Sequence, residues 1–239
     1  MTATDPLATP ALPALGLFGG RFDPVHRAHV GMAQAAADQL GLQEVRWLVT
    51  AAPVHKPAVA SPAQRLQMVR LALDDLDDPR MVADDREISL AQGGQANPTW
   101  VTIESLKRDF PGRPLVWIMG EDQLQAFTTW HRWEWLVQNM ALAVCARPAL
   151  RQMTSTICNR EGQSAGEQPR TVPQQRTLDR APPGARILPV SLTADAVSSS
   201  QVREAIQRGL PIEALVPQAV ARFLETHPVY ATGGAADPT

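Results

Sequence analysis

A doubly wound, mainly parallel α/β sheet with helices on both faces is the fold class this sequence predicts. Two observations carry it: short apolar runs that read as buried strands alternate with segments of helical periodicity, and glycine or proline punctuates the junctions. The length of 239 residues, 44% of them apolar, suits one large domain that buries roughly three-quarters of its unfolded surface. Lysine and arginine number 22 against 24 acidic residues, a balance that argues against coating nucleic acid or membrane through bulk charge. Cys145 and Cys158 are too few for a disulfide scaffold or a four-thiolate zinc site. Residues 1–13 lack the basic run and apolar core of a signal peptide, and no apolar stretch approaches the ~20 residues needed to cross a bilayer. These features predict a cytoplasmic protein with no nucleic-acid or membrane partner; they carry no signal for an oligomeric state.

The elements follow in order. Residues 1–13, rich in Pro, Ala and Thr, read as a loose tail, and 231–239 as another, around a single unit over 14–230. The run 14–18 is a strand stopped by Gly19 and Gly20. A helix over 26–40 follows, with Val30, Ala33, Ala37 and Leu40 on one face and Gly41 as its natural stop. A second strand at 45–49 leads to a proline-punctuated loop at 53–57, after which Ser61 and Pro62 start a helix lined by Leu66, Val69, Leu73 and Leu76. A short strand near 81–82 leads through Asp84, Asp85, Arg86 and Glu87 into a loop at 92–97, with a helix over 99–108 beyond it. Residues 115–119 form the clearest strand, closed by Gly120; short helices at 123–127 and 130–137 and a strand at 142–145 follow. The alternation breaks over 148–185, an insertion loop; counted over 147–186, arginines exceed acidic residues by four, which fits either a solvated excursion or a lid over an anion. A strand at 187–190 and helices over 199–208 and 218–226 complete the pattern. Parallel connections gather the strands' C-terminal ends on one edge, where ligands bind.

The chemistry concentrates at the first such end. The stretch 16–29, G-L-F-G-G-R-F-D-P-V-H-R-A-H, fits neither the G-x-G-x-x-G fingerprint nor the P-loop. Its logic is related: Gly19 and Gly20 let backbone amides approach an anion, and His26 and His29 share one face of the helical turn that follows. Ser198, Ser199 and Ser200 with Arg203 one turn later make a second anion cradle, and His55 and Lys56 add cationic capacity in the second loop.

Together these places resemble a known family. Residues 19–29 resemble the G-G-x-F-D-P-x-H-x-G-H signature of the adenylyltransferase/cytidylyltransferase superfamily, and 198–203 its I-S-S-[ST]-x-[IV]-R signature. Further landmarks resemble the bacterial nicotinate-nucleotide adenylyltransferases: 53–56 (P-V-H-K), Arg65 with Met68, 85–87 (D-R-E), 120–122 (G-E-D), Trp130 with Trp133, 147–148 and 215–217. The resemblance runs over about 15–225 and fails in the 148–185 loop. This chain departs from the pattern at Ala28, where the family has glycine, at Arg21, where it has a small or hydroxyl residue, and around 97–102, where it tends to read P-S-Y-T.

The resemblance implies a Rossmann-like nucleotidyltransferase fold and adenylyl transfer from ATP to nicotinate mononucleotide, with pyrophosphate released and Mg²⁺ riding on the ATP rather than on a protein metal site. It assigns His26 and His29 to the triphosphate, Gly19 and Gly20 to backbone amide donation, Ser199, Ser200 and Arg203 to the outer phosphates, and Lys56 to added positive charge. Asp122 is assigned to the adenosine ribose, Trp130 to stacking on the pyridine, and backbone near Thr102 or Trp130 to its carboxylate. The alternative for Trp130 is packing beside Trp133 on one helix face. Nicotinamide mononucleotide or phosphopantetheine are the alternative acceptors, and a nucleotide-binding module without catalysis is the alternative class.

Overall fold

The computed structural model describes residues 12–52, 58–91, 97–146, 181–192 and 197–231. Its strands are β1 (Leu15–Gly20), β2 (Glu44–Val49), β3 (Met81–Asp84), β4 (Leu115–Gly120), β5 (Ala141–Ala146) and β6 (Ile187–Ser191). They form one sheet in the order β3-β2-β1-β4-β5-β6, every pair parallel. Successive strands add outward from β1 in one direction, then from β4 in the other, so β1 and β4 flank the switch point where a doubly wound sheet opens a crevice. The helices are α1 (Arg27–Leu40), α2 (Pro62–Leu76), α3 (Arg86–Leu90), α4 (Thr99–Asp109), α5 (Glu121–Gln125), α6 (Trp133–Asn139), α7 (Ser199–Gln207) and α8 (Gln218–Thr226), with a 3-10 turn at Phe127–Thr129. No helix among the described residues is long and apolar enough to cross a membrane.

The two-residue period of the strands sorts side chains to two cores. Phe18, Val45, Trp47, Val116 and Ile118 face one side, against Ala33, Ala36 and Ala37 of α1, Met68 and Val69 of α2, Val202 of α7 and Val220 of α8. Leu15, Leu17, Trp117, Met119, Leu142 and Val144 face the other, against Ile103 and Leu106 of α4, Leu124 of α5 and Leu136 of α6. The expected helix signals act as read. Gly41 adopts the left-handed conformation (φ 63°) that closes α1. Ser61 and Gln64 exchange hydrogen bonds of 2.9 and 3.2 Å at the start of α2.

Three expectations are corrected. Gly19 and Gly20 belong to β1 and pair with Leu48 and Val49 rather than forming the turn; the turn falls later, where Phe22 takes a left-handed backbone (φ 47°). Residues 86–90 are helical, because Asp84 caps the turn by accepting from the Arg86 amide at 2.9 Å. The helix expected at 130 starts at Trp133, because Arg132 is left-handed (φ 60°) and acts as its N-cap.

Gly19 is fixed by packing. A β-carbon there would lie 2.4 Å from the Trp117 ring, whereas one on Gly31, in the exposed middle of α1, meets nothing within 4 Å. Gly19→Ala is therefore expected to cost about 1–3 kcal/mol, and Gly31→Ala to add about 0.5–1 kcal/mol of helix stability. Urea denaturation of both variants checks the opposite signs.

Candidate active site

The ladder between β1 and β4 stops at Phe18 and Ile118, while that between β1 and β2 runs on to Gly20 and Val49. The β4-facing edge of Gly19–Gly20 therefore opens into a cleft of about 550 Å³ at the switch point. The cleft brings together Gly19, Gly20, His26, His29, Asp122 and Ser199, residues that are up to 180 positions apart in the chain. Ala28 also lines it, so a larger side chain at 28 would intrude on the same space.

His26 is the N-cap of α1, with an extended backbone, and His29 lies one turn on. Their rings stack at 3.6 Å between centroids. The His26 amide donates to His29 Nδ1 at 3.3 Å, which leaves the His29 proton on Nε2 as a donor. Burial against Phe18 and Phe22, and then the neighbouring His26, hold the His29 pKa well below the ordinary imidazole range. His29 is thus a neutral hydrogen-bond donor at pH 7.

The loop that carries these histidines is held by Asp23, 1% exposed. Its carboxylate accepts from the amides of Val59 (2.9 Å) and Ala60 (3.0 Å) and from the Tyr230 hydroxyl (2.8 Å). Arg203 donates to the Asp23 carbonyl at 2.7 Å, with its guanidinium 3.9 Å from the Asp23 carboxylate. Fully buried Arg65 spreads its fork over four carbonyls, those of Arg21 (2.8 Å), Thr50 (2.7 Å), Ala51 (3.0 Å) and Ala60 (3.2 Å). The Arg27 amide, first in α1, donates to the Leu215 carbonyl at 3.0 Å. That contact gives the 215–217 landmark its physical role.

The remaining sequence candidates fall elsewhere. Arg203 donates to the Ser200 hydroxyl at 3.3 Å, and neither residue is among those that line the cleft. Ser199 lines the cleft but donates its hydroxyl to the Pro24 carbonyl at 2.9 Å, and Ser198 already caps α7 through Gln201. Lys56, with the rest of 53–57, and most of the 148–185 loop lie outside the described residues. Asp122 sits in the first turn of α5 against Gly120, where a β-carbon would meet its Oδ1 at 2.6 Å.

Trp130 precedes α6, so it does not share a helix face with Trp133. Its ring packs edge-on to Trp117 at 5.8 Å and tilted on Phe127 at 5.1 Å, and its amide is used on the Phe127 carbonyl at 2.9 Å. Thr102 is fully buried, its hydroxyl turned inward onto Glu87 at 3.1 Å. Its side chain therefore supports the start of α4 rather than facing a ligand. At the N-terminus of α4 Pro98 provides no side-chain cap, the Val101 amide turns back onto the Pro98 carbonyl at 2.9 Å, and Trp100 lies 6.3 Å from the His131 ring.

Sequence reasoning missed Tyr230 as a site-building residue and treated Asp23, Arg65 and Glu87 only as parts of motifs or landmarks. The one available signal was the presence of Asp23 inside a motif whose histidines alone seemed to carry chemistry.

Stacked histidines and open glycines at the switch point of a doubly wound parallel sheet define a nucleotide-binding α/β protein of the nucleotidyltransferase class. Residues 17–205 match the model of the cytidylyltransferase-like family. The chain belongs to that family, among its nicotinate-nucleotide adenylyltransferases. A probable nicotinate-nucleotide adenylyltransferase of Neisseria meningitidis serogroup B is 35% identical over 90% of this chain and 98% of its own. One from Pseudoalteromonas atlantica is 33% identical over 91% and 95%. The Plasmodium falciparum nicotinic acid mononucleotide adenylyltransferase, solved in complex with NaAD, shares the fold at a TM-score of 0.67 and 14% identity, covering 91% of this chain and 97% of that one.

Burial pushes the Glu87 carboxyl up to about 7, the Thr102 and Thr50 hydrogen bonds offsetting only part of the effect. Between the ordinary value of 4.5 and about 7 the native state binds the proton that the unfolded chain has released, so this group's contribution to stability is lost as pH rises through that window. Glu87→Gln removes the titration. Its stability relative to wild type is expected to rise from pH 5 to pH 8 by up to about 3 kcal/mol, and urea melts across that range would show a flat difference if the assignment were wrong.

Proposed function

We propose that the cleft transfers the adenylyl group of ATP to nicotinate mononucleotide, forming nicotinate adenine dinucleotide and pyrophosphate for NAD synthesis. The observation that carries the reading is the stacked His26–His29 pair beside the open edge of Gly19–Gly20. An oxygen of the acceptor's 5′-phosphate attacks the α-phosphorus of ATP; one P–O bond forms as the bond to pyrophosphate breaks. The nucleophile is already an anion at pH 7, so no general base is required, and catalysis reduces to in-line positioning and stabilisation of phosphate charge. His29 donates from Nε2 to the reacting phosphate, His26 and the Gly19–Gly20 backbone bind alongside it, and Ser199 and Ser200 lie toward the β- and γ-phosphates. Arg203 acts through its bonds to the Asp23 carbonyl and the Ser200 hydroxyl, and Lys56 supplies further charge.

Enzymes of this family use a divalent metal with ATP; we assign Mg²⁺, carried in as the ATP complex. Asp122 takes a ribose hydroxyl. Trp130 stacks on the pyridine, and the uncapped N-terminus of α4 receives its carboxylate, because aligned amides favour an anion over a neutral amide. The same reading treats 14–230 as one catalytic unit and places it in the cytoplasm.

Pyrophosphate release with ATP and Mg²⁺, run against nicotinate mononucleotide, nicotinamide mononucleotide and phosphopantetheine, tests the proposal: strong preference for the acid is expected, and no release with it would overturn the reading. Removing one such donor typically costs ~3–4 kcal/mol of barrier, so His29→Ala is expected to slow turnover on the order of a hundredfold. Near-wild-type steady-state kinetics would contradict the mechanism.

A further inference from the structure

Glu87 is 3% exposed and is not among the residues that line the cleft, yet its carboxyl has a hydrogen-bond partner. Thr102, four positions into α4, donates its hydroxyl to Glu87 Oε1 at 3.1 Å and accepts from Asn97 Nδ2 at 2.8 Å. Asn97 stands just before the N-cap Pro98, so the Asn97–Thr102 bond closes over the first turn of α4 from its two ends. A helical threonine otherwise tends to return its hydroxyl proton to a carbonyl in the preceding turn; Glu87 takes that proton and leaves a Thr102 lone pair for Asn97. Thr50, next after β2, favours the charged form of the same carboxyl, and its amide donates to the Gly20 carbonyl at 3.0 Å. One buried carboxyl on α3 is therefore bonded to the first turn of α4. Burying an acid is costly, and neither core requires one here.

We infer that Glu87 is a positioning residue for the acceptor subsite: acting through the Thr102 hydroxyl, it holds the first turn of α4 in the geometry that receives the anionic ring substituent of the acceptor. The inference rests on the function proposed above. Its consequence is selective. Loosening that turn weakens acceptor binding, while ATP, held by the β1–α1 loop and α7, is unaffected.

The test is steady-state kinetics with each substrate varied in turn, with thermal unfolding recorded for every protein. Thr102→Val keeps the side chain's shape and removes the hydroxyl; Glu87→Ala removes the acceptor. Both are expected to raise KM for nicotinate mononucleotide about tenfold and to leave KM for ATP within about twofold. Thr102→Ser and Glu87→Gln keep a hydroxyl donor and an oxygen acceptor respectively, and each restores most of the acceptor KM. If Glu87→Ala does not fold, the Thr102→Val and Thr102→Ser pair decides the matter. An active wild type whose Thr102→Val variant keeps its acceptor KM, or raises both KM values together, overturns this inference alone. A wild type that releases no pyrophosphate with the acid overturns the proposed function, and this inference falls with it.

Discussion

The Asp23 carboxylate is the constraint on which the rest of the site depends. A carboxylate removed from water is tolerated only when its lone pairs are filled, and here three donors come from two distant places: the approach to α2 and the C-terminal segment. A fourth contact, from Arg203, joins the Asp23 backbone to α7. The β1–α1 loop is consequently held by segments 36 to 207 positions away in sequence. The histidines that follow it inherit a fixed direction from that anchorage.

Arg65 completes the frame from the opposite side. Among the described residues no carboxylate forms an ion pair with it, and desolvation outweighs the attraction of Asp23 to lower its pKa. Its fork is spent on carbonyls at the ends of β1 and β2 and at the start of α2. Lysine could not satisfy the same arrangement, since its three donors diverge from one nitrogen whereas a guanidinium presents five in a plane. The frame also bears on the proposed role of a neutral His29: a donor held in a fixed direction loses little in reorganisation when charge develops on a neighbouring phosphate.

The strands and long helices were legible because each has a local cause: apolar runs for β1, β2, β4 and β5, Ser61 with Pro62 for α2, Gly41 for the end of α1. The motif glycines have a packing reason that the sequence did not show. Gly19 and Gly20 read as an opening for an anion; the rings of Trp117 and Phe22 occupy the space that β-carbons would need, so packing by itself already selects glycine at both positions. What could not be read was long-range. Nothing near Asp23 announces Tyr230, and the acidic stretch at 84–87 reads as a loop until Arg46 and Arg86 pair with Asp84 and burial claims Glu87. The boundary of α6 was missed because a left-handed arginine at 132 has no sequence signal comparable to a glycine.

Residue-resolved amide hydrogen exchange of Asp23→Asn, compared with wild type, addresses the anchorage most directly. Asparagine presents a donor where the carboxylate presents only acceptors, so protection is expected to fall at Val59 and Ala60 and through the first turn of α7, while the amides of β1, β2, β4 and β5 keep theirs. Unchanged protection at Val59 and Ala60, or a uniform loss across the sheet, would contradict the claim that this one carboxylate holds the site together.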